Sequence, residues 1–336
     1  MSFAELTGRR QVARLRETAL SALRAYPFQV RRLRLLNHGF NTTFRVDTQD
    51  GQKFALRINV NSRRSAEQIA AEMAWLAALS ADTALRVPTP VPLADGSLLQ
   101  HIWSSDLQRD LPVALFSWLP GGDLGDEATP AQWREVGRAA ALLHGHALNW
   151  PLPAGAALSS LHHPLMDSAN HLTGDHELLT AERREVLDET LRRVQEVLTN
   201  IFKREVPRPL HADLHGWNLK WARGKLYVFD FDDCGLGVPL QDLAISAYYL
   251  RPAAELEAAL LEGYAAQAPL PSYTPLDYES VVAGRNLVLL NDVLVNTTAE
   301  IRAMQPRYVR NSVLKLRHFL ETGEYRHDLP GVEQAG

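Results

Sequence analysis

The chain has 336 residues, 46% hydrophobic and 22% charged, and 35 basic against 39 acidic side chains give a net charge of -4. These proportions describe a globular chain long enough for two domains or one bilobal unit, and the slight acidic excess argues against a dedicated nucleic-acid binder. The single cysteine, Cys234, excludes an internal disulfide framework and a zinc ribbon. No stretch approaches the roughly 18 apolar residues of a membrane span. The first residues, Met1 to Leu6, reach charge before a signal-peptide core can form, so a cytoplasmic chain without membrane attachment is expected.

Taken in chain order, residues 9–25 carry Val12, Leu15, Ala19, Leu20 and Leu23 near helical spacing, and Tyr26-Pro27 ends that helix. From Val30 the period changes. Strands are expected around Val30–Leu36 and Phe44–Val46, then, after the hairpin signal Asp50-Gly51, over Lys53–Ile58. Residues 64–80, rich in Ala, Leu, Glu and Met, read as helix. The proline-spaced segment Val87–Pro92 is an extended connector, and strands follow at 97–103 and 113–119. Beyond Gly122 the texture turns helical. Thr129 caps a helix over 130–148 with Pro130 at its first position, and Thr180 opens another over 180–203. Two short strands near 218–222 and 225–230 interrupt this half. The expected architecture is α+β and bilobal: a small antiparallel β-rich lobe over 1–115 with its leading helix, a connector at 116–122, and a larger helical lobe over 123–336. The junction is the natural ligand cleft.

The chemistry concentrates in His211-Ala212-Asp213-Leu214-His215-Gly216-Trp217-Asn218 and Tyr227-Val228-Phe229-Asp230-Phe231-Asp232-Asp233. Asp230 stands among apolar strand residues, where an unpaired carboxylate is costly and a cation would remove the cost. Mg²⁺ suits carboxylate and amide oxygens, which Asp230 and Asn218 supply. Asp213 could accept a proton from a substrate hydroxyl.

At these residues the chain resembles the aminoglycoside phosphotransferase family, whose fold is protein-kinase-like. His211, Asp213 and Asn218 keep its His-x-Asp-x4-Asn spacing, and Asp230 follows the short hairpin. Phe231–Gly235 with Gln241-Asp242-Leu243-Ala244 looks most like the branch of bacterial stress-response and homoserine-kinase-like enzymes. Leu36–Val46 matches the family's nucleotide-covering loop, and Phe116–Gly121 its lobe connector. The resemblance implies ATP and Mg²⁺ as cofactors, Asp213 as catalytic base with His211 in its loop, and Asn218 with Asp230 on the metal. It also implies that Gly39, Asn41 and Thr42 lie over the phosphates, that Phe116 and Trp118 stand at the adenine side, and that Arg57 grips phosphate. Arg57 replaces the lysine of protein kinases; its carboxylate partner is expected to be Glu72, with Glu67 the second choice. Asp242 is read as structural, accepting hydrogen bonds from the catalytic-loop backbone.

Rival readings stay open. Asp232 and Asp233 are possible substrate contacts or a solvated strand end. His211 is a loop-shaping hydrogen-bonder before it is an acid or base. His211, Asp213 and His215 alternate and could hold zinc, although no fourth ligand is evident. His162, His163, His171 and His176 fall in a polar loop that could face substrate, and core is the plainer role for Phe116 and Trp118. The leading function is a phosphotransferase acting on a small-molecule hydroxyl, of amino sugar, amino alcohol or amino acid type. A protein serine/threonine kinase of the stress-response type and a non-catalytic nucleotide-binding protein are the alternatives.

Overall fold

The computed structural model describes residues 3–62 and 64–333. Helix α1 (Gly8–Leu23) leads into a sheet of β1 (Val30–His38), β2 (Thr42–Thr48), β3 (Lys53–Ile58), β4 (Gln100–Ser104) and β5 (Arg109–Ser117), all antiparallel, in the order β1-β2-β3-β5-β4. The period-2 alternation of β2 and β3 splits their side chains between two faces. Phe44, Val46, Leu56 and Ile58 join Leu15, Ala19 and Leu23 of α1 in one core, while Thr43, Ala55 and Arg57 face the cleft. β5 begins four residues before its expected start, because Pro112 does not break it. The Pro112 carbonyl accepts from the Asn59 backbone N–H, just past the last β3 pair, Ile58 with Val113. The missing N–H of Pro112 points to the same side, where the strand partner has ended.

Helix α2 (Ala66–Asp82) starts at Ser65, whose hydroxyl and the Gln68 side chain form a capping box. Its Trp75 and Leu76 are buried in a second core that reaches across the connector to Trp133 and Leu143. The chain then forms β6 (Gly122–Asp123), α3 (Pro130–Ala147), β7 (Ser159–Ser160), α4 (Ala181–Arg204), β8 (Arg208–Leu210), β9 (Leu219–Ala222), β10 (Lys225–Val228) and β11 (Gly235–Gly237). Four helices close it: α5 (Pro239–Leu250), α6 (Ala254–Ala265), α7 (Pro275–Val295) and α8 (Ala299–Thr322). Thr129 and Thr180 cap α3 and α4 as the sequence predicts. α3 and α6 touch backbone to backbone: a Cβ at Gly137 would fall 2.0 Å from the Leu260 carbonyl oxygen, and one at Gly263 2.0 Å from that of Arg134.

The third core joins α4, α5, α7 and α8. α5 is the axis of the helical lobe, buried along nearly its whole length, so its Asp242 reaches the site from within. β9 and β10 form a hairpin extended by β6, and β11 lies between β7 and β8. These short strands hold the 211–233 segment against the cleft, an opening of about 1160 Å³ between the sheet and the helices. Among the described residues no helix is long and apolar enough to cross a membrane.

Candidate active site

The loop after β8 is shaped by one buried carboxylate. Asp242 accepts from the backbone N–H of His211 (3.1 Å) and of Ala212 (2.6 Å), and from His144 Nε2 (2.9 Å), whose Nδ1 meets the Tyr264 hydroxyl at 3.0 Å. Burial would raise the Asp242 pKa, but the hydrogen bond and charge of His144 outweigh it and keep the acid ionised. Two N–H groups converging on one carboxylate hold Ala212 in the left-handed region, at φ 64°. His211 is fully buried. Its Nε2 meets the Phe229 carbonyl at 3.0 Å and its Nδ1 accepts the Asp213 backbone N–H at 3.2 Å. Both nitrogens are committed, and burial lowers its pKa. That is the geometry of the loop-shaping hydrogen-bonder the sequence favours over an acid or base: His211 stands as a strut with no lone pair left for zinc.

Asp213 therefore projects from a fixed loop. Its Oδ1 accepts from Arg285 Nη2 and, at 3.4 Å, from the Tyr249 hydroxyl; its Oδ2 accepts from Asn218 Nδ2 at 3.0 Å and faces His215 Nε2 at 3.3 Å. Burial alone would raise its pKa; Arg285 and His215 overcome that and bring it to about 2. Asn218 also donates to the Asp213 carbonyl at 2.9 Å. Its amide N–H groups are thus turned onto Asp213, which leaves its carbonyl oxygen pointing away as a hard ligand. Asp230, at φ 63°, follows β10 with its carboxylate 42% exposed to the cleft. Burial pushes its pKa up to about 7 against the pull of Arg57, with the neighbouring Asp232 and Asp213 adding to the rise. An amide and a carboxylate oxygen fit a hard divalent cation that keeps its other positions for water and phosphate.

Arg57 comes from the cleft face of β3, buried over Phe116 with its guanidinium 5.2 Å from the ring centroid. Glu72 of α2 grips it with two bonds, 2.8 and 2.7 Å, as the sequence predicts in preference to Glu67. Asp230 and Asp232 stand 3.8 and 3.7 Å from its other side. Asp232 lines the cleft with its oxygens engaged by protein donors. Its oxygens accept from Asn41 Nδ2 (2.8 Å) in the β1–β2 hairpin and from Asn59 Nδ2 (3.1 Å), so it ties the helical lobe to the sheet. Asp233, its neighbour, turns the other way, 3.7 Å from Arg285. Burial and the charge of Asp213 raise its pKa to about 6.

The hairpin itself differs from expectation at one residue. Gly39 and Asn41 line the cleft, and the Gly39 carbonyl accepts from Thr298 Oγ1 at 2.6 Å. Thr42 is fully buried, bonded to His38 Nδ1 at 2.8 Å. It shares the face of Phe44 and Val46, and Thr43 is the threonine presented to the cleft. Phe116 is core and cleft wall at once; Trp118 lines the cleft half-buried under Arg45 instead of joining the core. Of the loop histidines only His171 lines the cleft; His163 meets Gln195 and His162 stacks on Phe202.

Against known proteins, the model of the phosphotransferase enzyme family (APH) matches residues 7–276, a span that holds both lobes' contributions to this site except those of α7, of which it takes in only the first two residues. The chain belongs to that family. It is a phosphotransferase, a kinase-type enzyme of kinase-like fold. A microcompartment-associated aminopropanol kinase superposes with a TM-score of 0.77 at 26% identity, covering 93% of this chain and 99% of its own. A structure of amicoumacin kinase in complex with AMP-PNP and Ca²⁺ shares the fold, with a TM-score of 0.71 at 19% identity over 91% and 96% of the two chains. Amicoumacin kinase of Bacillus subtilis (strain 168) is 24% identical over 66% of this chain, a match that spans 64% of that kinase.

Four residues of the phosphotransferase cleft have no counterpart in the sequence motifs. Asn59, Arg64, Tyr249 and Arg285 all touch the motif residues or their loop, Arg64 by donating to the Cys234 carbonyl at 2.7 Å. Arg285 carried a signal, since it interrupts the apolar run Val281–Leu290 of α7. A lone arginine in such a run marks a buried acid elsewhere. Asn59 and Tyr249 carried none.

Proposed function

We propose that this enzyme transfers the γ-phosphoryl group of ATP, with Mg²⁺, to a hydroxyl of a small molecule of amino sugar, amino alcohol or amino acid type. The observation that carries the reading is the placement of Asp213. It is held ionised at the floor of the cleft by Arg285, and Asn218, which donates to it, turns its own carbonyl oxygen outward, as a metal ligand set with Asp230 requires. Mg²⁺ bound by Asn218 and Asp230 would neutralise charge on the phosphate oxygens. Arg57, fixed by Glu72, would bind the non-transferred phosphates beneath Gly39 and Asn41.

In the transfer, the acceptor oxygen forms a bond to the γ-phosphorus. The bond from phosphorus to the bridging oxygen breaks, and its electron pair leaves on ADP. The hydroxyl proton passes to Asp213. A carboxylate with so low a pKa is a weak base, so Asp213 orients the hydroxyl first and takes the proton late, which suits a loose phosphoryl-transfer transition state. A small acceptor is favoured by the shortness of the segment between Asp230 and Gln241, where β11 is tied into a sheet with β7 and β8. Asp233 supplies a carboxylate beside Asp213 that an acceptor ammonium would neutralise, in keeping with the aminopropanol kinase of the same fold.

The test is Asp213→Asn. Turnover of ATP with an amine-alcohol panel should fall by at least about a thousandfold, while the Mg²⁺-ATP-dependent rise in melting temperature stays. Loss of the thermal shift together with activity would make Asp213 structural and sink the assignment. Asp233→Asn should raise the acceptor KM about tenfold with the ATP KM unchanged, the loss of one charge-assisted contact.

A further inference from the structure

His215 is the one member of the His211, Asp213, His215 alternation that the reading above leaves without a task. A carboxylate offers about four lone-pair sites, and protein donors approach Asp213 on all four. Arg285 and Tyr249 donate to Oδ1; Asn218 donates to Oδ2, and His215 Nε2 stands 3.3 Å from it. An acceptor hydroxyl must displace one of them.

Three are fixed. Arg285 is 3% exposed, and its Nε and Nη2 donate to the Tyr249 hydroxyl at 3.2 and 2.9 Å, which binds the two to each other. Asn218 is buried and makes a second bond to the Asp213 carbonyl. His215 is different. Its ring rests on Tyr249 with centroids 4.6 Å apart, at the cleft wall. Its Nδ1 accepts the backbone N–H of Trp217 at 3.2 Å, so the neutral ring carries its proton on Nε2, facing Asp213. The Nε2 contact at 3.3 Å is long for a hydrogen bond to a carboxylate, and the neighbouring Trp217 is 56% exposed.

We infer that His215 is an acceptor-positioning residue: its Nε2–H stands at the Oδ2 site of Asp213 and redirects its hydrogen bond to the acceptor's hydroxyl oxygen when that hydroxyl inserts and hydrogen-bonds Oδ2. The inference rests on the phosphotransfer reading above. Its physical content is discrimination against water. An alcohol displaces the Nε2–H because the rest of the molecule contributes binding in the cleft, whereas a water molecule brings no such contribution. No proton leaves the imidazole; the hydroxyl proton still passes to Asp213.

The experiment compares wild type, His215→Ala and His215→Gln in two assays: ATP hydrolysis by water with Mg²⁺ and no acceptor, and phosphate transfer to aminopropanol and ethanolamine. Opening the Oδ2 site in His215→Ala should raise hydrolysis about fivefold, and loss of the donor should lower kcat/KM for the alcohol about tenfold, each the size of one hydrogen bond. The ATP KM stays constant. Glutamine places an N–H near the Nε2 position, so His215→Gln should bring both rates back to within about threefold of wild type. A merely structural histidine would depress both activities together. Hydrolysis that is unchanged or lower in His215→Ala, a shifted ATP KM, or identical behaviour of the two variants overturns the inference. If neither alcohol is a substrate, the hydrolysis arm decides alone. A wild type with no Mg²⁺-ATP thermal shift and no hydrolysis refutes the phosphotransfer reading itself, a result distinct from the others.

Discussion

Asp242→Asn isolates what one buried charge does for the catalytic loop, because the side chain keeps its shape. In the native site, Oδ1 serves the Ala212 N–H while Oδ2 serves both the His211 N–H and His144 Nε2. An asparagine has one acceptor oxygen and one donor NH₂. Its least costly orientation keeps the oxygen on Ala212 and turns the NH₂ toward His144, whose Nε2 can accept if Nδ1–H donates to the Tyr264 hydroxyl. The His211 N–H is then left facing a donor, buried and unpaired. One orphaned buried N–H costs about 1–3 kcal/mol, and replacing charge-assisted bonds by neutral ones adds about 1 kcal/mol, for a total near 3 kcal/mol. At an unfolding entropy of about 2.1 cal/mol/K per residue, a 336-residue chain loses roughly 4 °C of melting temperature. Asp242→Ala strands both backbone N–H groups and should cost about 5 kcal/mol. Because Ala212 sits next to Asp213, kcat should fall about tenfold or more with the ATP KM little changed. Differential scanning calorimetry and steady-state kinetics read both effects. An Asp242→Asn protein that melts within 1 °C of wild type and turns over normally would refute the argument.

Glu72→Gln keeps the fork partner of Arg57 but removes its charge, leaving a buried guanidinium flanked by two more distant acids; the ATP KM should rise about tenfold and stability should fall by about 3 kcal/mol in urea denaturation. Gly137→Ala forces α3 and α6 apart, since the new methyl would lie 2.0 Å from the Leu260 oxygen; a loss of about 3 kcal/mol is expected, against about 1 kcal/mol gained at an open helical glycine such as Gly145. His327 donates to the Tyr248 carbonyl at 2.6 Å and lies 3.0 Å from Lys315 Nζ; burial and that lysine depress its pKa to about 4. A depressed histidine binds fewer protons folded than unfolded, so its contribution is complete above its ordinary pKa of 6.5 and is lost as pH falls from there toward 4. The full difference is about 3 kcal/mol, and His327→Gln should flatten the decline of stability between pH 6.5 and 4; an unchanged slope would show that other groups govern acid unfolding.

Much of the site was legible because its signature is local. His211, Asp213, Asn218 and Asp230 lie within twenty residues, on a loop and hairpin whose geometry follows from their own spacing, and the caps at Thr129 and Thr180 are read by the helix that begins beside them. Arg57 and Glu72 were also accessible, one on a strand and one on the next helix, with a buried arginine demanding an acid. The alternation that turns Thr42 inward was present too, in Phe44 and Val46, but the loop resemblance favoured Thr42 over its neighbour.

Tertiary structure alone separated Asp232 from Asp233. They are consecutive on one short turn and chemically identical, and no local rule tells them apart. What differs is the partner that arrives from afar: Asn41 and Asn59, 191 and 173 residues upstream, capture the first, and Arg285, well downstream, faces the second. The same long-range packing of α5 and α7 delivers Tyr249 and Arg285 to Asp213 and leaves His215 as its most displaceable neighbour. Sequence determined which groups gather at the candidate site, because motif spacing is set by the chain. Which of them face the cleft and which tie the fold together was decided by burial, because a carboxylate's surroundings depend on the charges and donors that folding places within hydrogen-bond reach.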